Sequence, residues 1–101
     1  MEETIIKINE VEYKIKKSTR ALLLFEELTG KSVYEVSENL TNLTKLFYCY
    51  VKACNRDIFK FTLDEFIDLI DDSADSIEIF NKYLIESAEK ETPGNPKKKK
   101  A

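Results

Sequence analysis

The chain reads as an α+β domain, mainly α: an N-terminal β-hairpin followed by four or five packed helices. Three observations predict this. Apolar and polar residues alternate over residues 4–16, the period of a half-buried strand. From Ser18 onward apolar residues recur every three or four positions, the period of an amphipathic helix. The 101 residues hold only two Gly and two Pro, and both prolines and one glycine lie in the last ten, so the elements before them are long. At this length, with 43% hydrophobic and 11% aromatic residues, one folded domain over 1–91 is expected.

Thr4-Ile5-Ile6-Lys7-Ile8 and Val11-Glu12-Tyr13-Lys14-Ile15-Lys16 are the two strands. Ile6, Ile8, Val11, Tyr13 and Ile15 share one face, with Lys7, Glu12 and Lys14 on the other. Asn9-Glu10 joins them, Asn tolerating the positive φ that a two-residue turn demands. A lone hairpin is marginal in water, so its apolar face must rest on the helices.

Ser18 or Thr19 caps a helix over Ser18–Leu28, and Gly30 closes it in the left-handed conformation. Ala21, Leu22, Leu23, Leu24, Phe25 and Leu28 cover more than half its cylinder. Such a helix needs neighbours on several sides, which makes it the expected hub of the fold. Between Lys31 and Leu40, the spacing of Val33, Val36 and Leu40 predicts a short helix. Thr41 or Asn42 starts the next helix, where Leu43, Leu46, Phe47, Tyr50, Val51 and Cys54 form a regular stripe ending at Asn55. Ile58 to Phe61 is a brief extended connection.

Thr62-Leu63-Asp64-Glu65 is a capping box, in which the Thr hydroxyl and the Glu carboxylate each accept from the other's backbone. Loss of such a cap costs about 1 kcal/mol. The helix it opens carries Phe66, Ile67, Leu69 and Ile70 inward and Asp64, Asp68, Asp71 and Asp72 outward. Ser73 or Asp75 opens a last helix to about Lys90, with Ile77, Phe80, Tyr83, Leu84 and Ala88 on its apolar side. Residues 92–101, T-P-G-N-P-K-K-K-K-A, are a Lys-rich tail expected to be disordered.

Charge narrows the function. The net charge is −3, but residues 1–96 hold twelve basic against nineteen acidic side chains, or −7. An acidic body has no broad footprint for nucleic-acid phosphates, so nucleic acid is not the expected partner. Lys97 to Lys100 read as a solvated tail, since nothing basic or aromatic in the body accompanies them. Histidine is absent, which removes the commonest general base and zinc ligand. No phosphate-cradling Gly-rich loop exists. Cys49 and Cys54, about 140° apart round a helix, diverge and are expected to be reduced. Asp64, Glu65, Asp68, Asp71, Asp72 and Asp75 lack the calcium-loop pattern and read as a solvated face. No enzyme, cofactor or metal site is expected. Without a signal peptide or an apolar run long enough for a bilayer, the expected location is the cytoplasm.

Of the aromatics, Tyr34, Phe47, Tyr50, Phe59, Phe61 and Tyr83 read as core. Tyr48 falls off the stripe of Phe47 and Tyr50, so it either packs under another element or belongs to a partner surface.

Four stretches together, I-x-I-N-E-V-E-Y-K-I-K, S-T-R-A-L-L-L-F-E-E-L-T-G-K-S-V, T-N-L-T-K-L-F-Y-C-Y-V-K-A-C-N and F-T-L-D-E-F-I-D-L-I-D-D, resemble the small tail assembly chaperones of long-tailed bacteriophages and prophages. The likeness spans residues 4 to about 88. It centres on a hairpin feeding R-A-L-x-x-F-E-E-x-T-G-K, here Arg20, Ala21, Leu22, Phe25, Glu26, Glu27, Thr29, Gly30 and Lys31. A later T-x-D-E-F helix start is matched by Thr62, Asp64, Glu65 and Phe66. The resemblance implies a non-enzymatic role in the host cytoplasm: binding the tape-measure protein and helping to recruit tail tube subunits. A homo-oligomer is a further expectation, since several copies must coat one long client. It makes Arg20, Glu26, Glu27 and Lys31 candidate partner-binding residues, beside Tyr48 from the pattern above. Members are often made in two forms by ribosomal frameshifting, and four consecutive lysines need an adenine-rich message of the kind on which ribosomes slip. The alternative reading is a small regulatory or nucleic-acid-binding helical domain using the Lys tail. An enzyme would need converging carboxylates such as Asp64 with Asp68.

Overall fold

The computed structural model describes residues 3–35 and 39–91. The Lys-rich tail lies outside the described residues, as do Val36 and the side chain of Ala88. The fold is α+β and mainly α: strands β1 (Thr4–Ile8) and β2 (Val11–Ile15), then helices α1 (Thr19–Thr29), α2 (Leu40–Cys54), α3 (Leu63–Asp71) and α4 (Asp75–Glu91).

The strands pair antiparallel with Ile6 opposite Tyr13 and Ile8 opposite Val11. Asn9 and Glu10 both have positive φ, 52° and 75°, the twist a two-residue hairpin turn requires. Ile6, Ile8, Tyr13 and Ile15 are buried on the shared face, whereas Val11, at the turn end, is 45% exposed. The turn is anchored at a distance. The Asn9 N–H donates to Ser73 Oγ at 2.7 Å, tying the hairpin to the α3–α4 junction.

Ser18 caps α1, accepting from the Ala21 N–H, and Gly30 ends it at φ 77° with its N–H donating to the Glu26 carbonyl. The expected hub is displaced, however. Only Ala21 and Phe25 of α1 are buried, and Leu23 is 55% exposed. The hub is α2, which touches α1, β2, α3 and α4. Leu46 through Val51 are all buried, more than a full turn with no solvent face. Phe47 lies between Phe66, edge-on at 5.1 Å, and Phe80, stacked at 4.6 Å. A helix is covered according to what the topology lays over it, and α1 ends up packed chiefly on α2.

Of the short helix expected over Lys31–Leu40, residues 36–38 lie outside the described residues; residues 33–35 form a turn and Tyr34 is exposed, not core. α2 begins earlier than Thr41, because the Asn39 side chain accepts from the Asn42 N–H and caps it. Asn55 ends α2 and does more. Its Nδ2 donates to the carbonyls of Lys14 and Val51, and its Oδ1 accepts from the Lys14 N–H at 3.0 Å. One buried amide thus fastens the end of α2 to β2. The Thr62–Glu65 capping box forms as expected. In α3 Phe66 and Ile70 are buried, but Ile67 is not inward; it is 37% exposed beside a groove.

Candidate functional site

α3 separates two surface depressions of opposite chemistry. The first is an apolar groove of about 370 Å3 between the N-terminal turn of α2 and the outer flank of α3. Leu40, Leu63, Ile67, Ile70 and Ile77 line it, with Lys45 and Asp71 as its charged members. Leu40 stands 68% exposed at its edge. The periodicity explains the lining: Leu63, Ile67 and Ile70 recur at four and three residues, one flank of α3. The flank is apolar, concave and uncovered.

The second depression is a cleft of about 440 Å3 just before the N-terminus of α3, lined by Tyr48, Lys52, Arg56, Phe59, Lys60, Phe61 and Thr62. Tyr48 is buried under Phe59 and Phe66, and its hydroxyl donates to the Phe61 carbonyl at 3.0 Å. Of the two readings left open for Tyr48, packing under another element is the one realised by its ring. Lys52 Nζ sits 5.5 Å from that ring's centre and 3.4 Å from its hydroxyl, a position suited to cation–π attraction. The cations Lys52, Arg56 and Lys60 are exposed around this aromatic floor. The expectation that nothing basic and aromatic is gathered in the body is therefore wrong. It failed because these residues meet only when α2 and the 56–62 connection fold together.

Arg20, Glu26, Glu27 and Lys31 are all exposed, on α1 and just beyond it. Helical geometry puts Arg20 and Glu27 on one side and turns Glu26 away by about 100°. No ion pair joins them among the described residues, where the ion pair found is Lys7 with Glu10 at 4.0 Å. They do not converge on a cleft, and neither depression contains any of them except Tyr48.

Metal-binding groups do not assemble among the described residues. No group of three His, Cys, Asp or Glu side chains is placed to hold a metal ion. Burial pushes the Cys49 thiol up to about 12, against a smaller opposing pull from Lys52, so it stays neutral and unreactive at physiological pH. Burial also raises the Tyr13 phenol. Cys49 and Cys54 are both free, and Cys54 Sγ donates to the Lys16 carbonyl. No described helix is long and apolar enough to cross a membrane. Comparison of the chain with known protein families, curated proteins and solved structures gives no match.

Proposed function

We propose that this chain is a non-enzymatic polypeptide-binding protein, a tail assembly chaperone of a long-tailed phage or prophage. It holds the tape-measure protein in the host cytoplasm and helps recruit tail tube subunits. The observation that carries the reading is the open apolar groove along α3. A tape-measure protein is a long helical rod, and an amphipathic helix of such a rod seats its apolar face in a groove of this kind, with anchors one helical turn apart. Leu40 and Ile67 supply the exposed aliphatic contacts, and the acidic exterior keeps the loaded complex soluble. Arg20, Glu26, Glu27 and Lys31 then serve as rim charges that tune encounter with client or tube protein and contribute little to affinity.

Co-expression with the rod protein encoded beside this gene tests the reading. The expected result is a soluble complex, lost in Leu40→Glu/Ile67→Glu while the variant keeps its melting temperature. A neighbourhood with no long helical rod gene, or a rod that ignores the purified chain, would falsify it. The cation-rimmed cleft favours one other reading, a small nucleic-acid-binding domain. Salt-dependent retention of DNA that falls on removing residues 97–101 would select it.

A further inference from the structure

Two stripes run side by side along α3. Leu63, Ile67 and Ile70 line the apolar groove at spacings of four and three residues. Asp64, Asp68 and Asp71 repeat that spacing one residue further on. Helical geometry therefore sets each carboxylate about 100° round the axis from the aliphatic residue before it. Phe66, the buried ring of this helix, lies on the other side of the aliphatic stripe, so the carboxylates stand on its solvent flank. All three are exposed, and Asp71 itself lines the groove. The acidic edge runs for about 10 Å, two helical turns.

Nothing close in the chain cancels this edge. Residues 61–81 hold seven acidic side chains and no basic one. Among the described residues no ion pair joins any α3 carboxylate. The opposite wall, from α2, has another character: Leu40, Thr41, Thr44 and the half-buried cation Lys45. The groove is apolar along its floor and anionic along one edge only.

We infer, on the reading that this groove seats a helix, that its occupant is a basic amphipathic helix. Such a helix has an apolar stripe at spacings of four and three, with Lys or Arg along one flank. Apolar burial supplies affinity and is open to any amphipathic helix. The carboxylate edge supplies the choice. An acidic flank brought against it sets like charges side by side, whereas a basic flank makes contact ion pairs and is steered in by the acidic body. Exposed ion pairs are individually weak, but here three stand in a row beside a contact that excludes water. Lys45 keeps the preference one-sided, because cations on both flanks would meet it.

Fluorescence anisotropy of labelled synthetic peptides with the full chain tests this choice. Each peptide is about 18 residues, long enough to hold a helix, with Leu at spacings of four and three and Lys, Gln or Glu after every Leu. At about 150 mM salt the Lys peptide is expected to bind at least about tenfold tighter than the Glu peptide, with Gln between; at about 1 M the three converge. Asp68→Lys/Asp71→Lys, shown to be folded by circular dichroism, reverses the order, and Asp68→Asn/Asp71→Asn removes it. Leu40→Gln/Ile67→Gln weakens all three. Equal binding of the three peptides, lost in Leu40→Gln/Ile67→Gln, overturns the charge preference and leaves the helix-binding groove standing. A scrambled Lys peptide that binds as tightly as the striped one, or Lys-peptide binding that ignores both pairs of substitutions, assigns the attraction to the acidic body at large and overturns the preference too. Failure of all three peptides to bind overturns the preference and the helix-binding groove together.

Discussion

α1 and α2 look alike on paper and end in opposite situations. Both carry apolar residues round more than half their circumference. Past its exposed first residue, Leu40, α2 turns that surface inward, wrapped by α1, β2, α3 and α4, with Phe47 and Val51 fully buried. α1 buries Ala21 and Phe25 and leaves Leu23 55% and Leu28 40% exposed. The difference teaches that apolar density marks a helix that wants cover, while only topology decides which helix receives it. What stays uncovered, on α1 and along the α3 groove, is the surface available to other polypeptides.

The comparison breaks most visibly at Phe47. Phe47→Ala removes the ring held between Phe66 and Phe80 and should cost about 3–5 kcal/mol, enough to unfold much of a marginally stable domain. Leu23→Ala on α1 should stay within about 0.5 kcal/mol by urea denaturation. Equal losses at the two sites would show that α1 is covered after all. Asn55→Ala comes next. It severs the amide that joins the end of α2 to Lys14, leaves those backbone groups unpaired, and should cost about 2 kcal/mol.

The sign of the alkaline response sharpens the same contrast at Cys49. Its thiol is held protonated by burial on α2, from an ordinary 9.0 up to about 12. The folded state therefore binds this proton more tightly than the unfolded one. That contribution is complete below 9.0 and is lost as pH rises towards about 12. Urea midpoints should fall over this window, and Cys49→Ala should flatten the fall; an unchanged slope would place the thiol in water. The smallest effect on stability belongs to Leu40→Gln/Ile67→Gln, within about 0.5 kcal/mol per site, since these side chains face the open groove. Its effect should appear in client capture alone.

Much of the fold was legible because its signals are local. Alternation from Thr4 to Ile15 and an Asn at the turn specify the hairpin; Ser18 with Gly30, and Thr62 with Glu65, punctuate two helices. Their chemistry acts over three or four residues. The hub was misread because Leu22, Leu23, Leu24 and Leu28 advertise burial that only long-range packing could grant. The double role of Asn55 joins residues 41 apart, so nothing beside it in the chain announces it. Lys52, Arg56 and Lys60 sit four residues apart in plain view, but their meeting over Tyr48, Phe59 and Phe61 depends on how the connection after α2 turns. The candidate residues of α1 were chosen by likeness and lie apart from both depressions.

The bond from Asn9 to Ser73 spans 64 residues, and the stack of Phe80 on Phe47 likewise waits for α4. Synthesis delivers the amino end first, so the β1 face that meets α4 and the Phe80 side of Phe47 stay open until the second turn of α4 has left the exit tunnel. A nascent chain halted before residue 80 lacks the ring that completes the stack on Phe47. Protease digestion of such arrested fragments should therefore show all-or-none protection, appearing abruptly once Phe80 emerges.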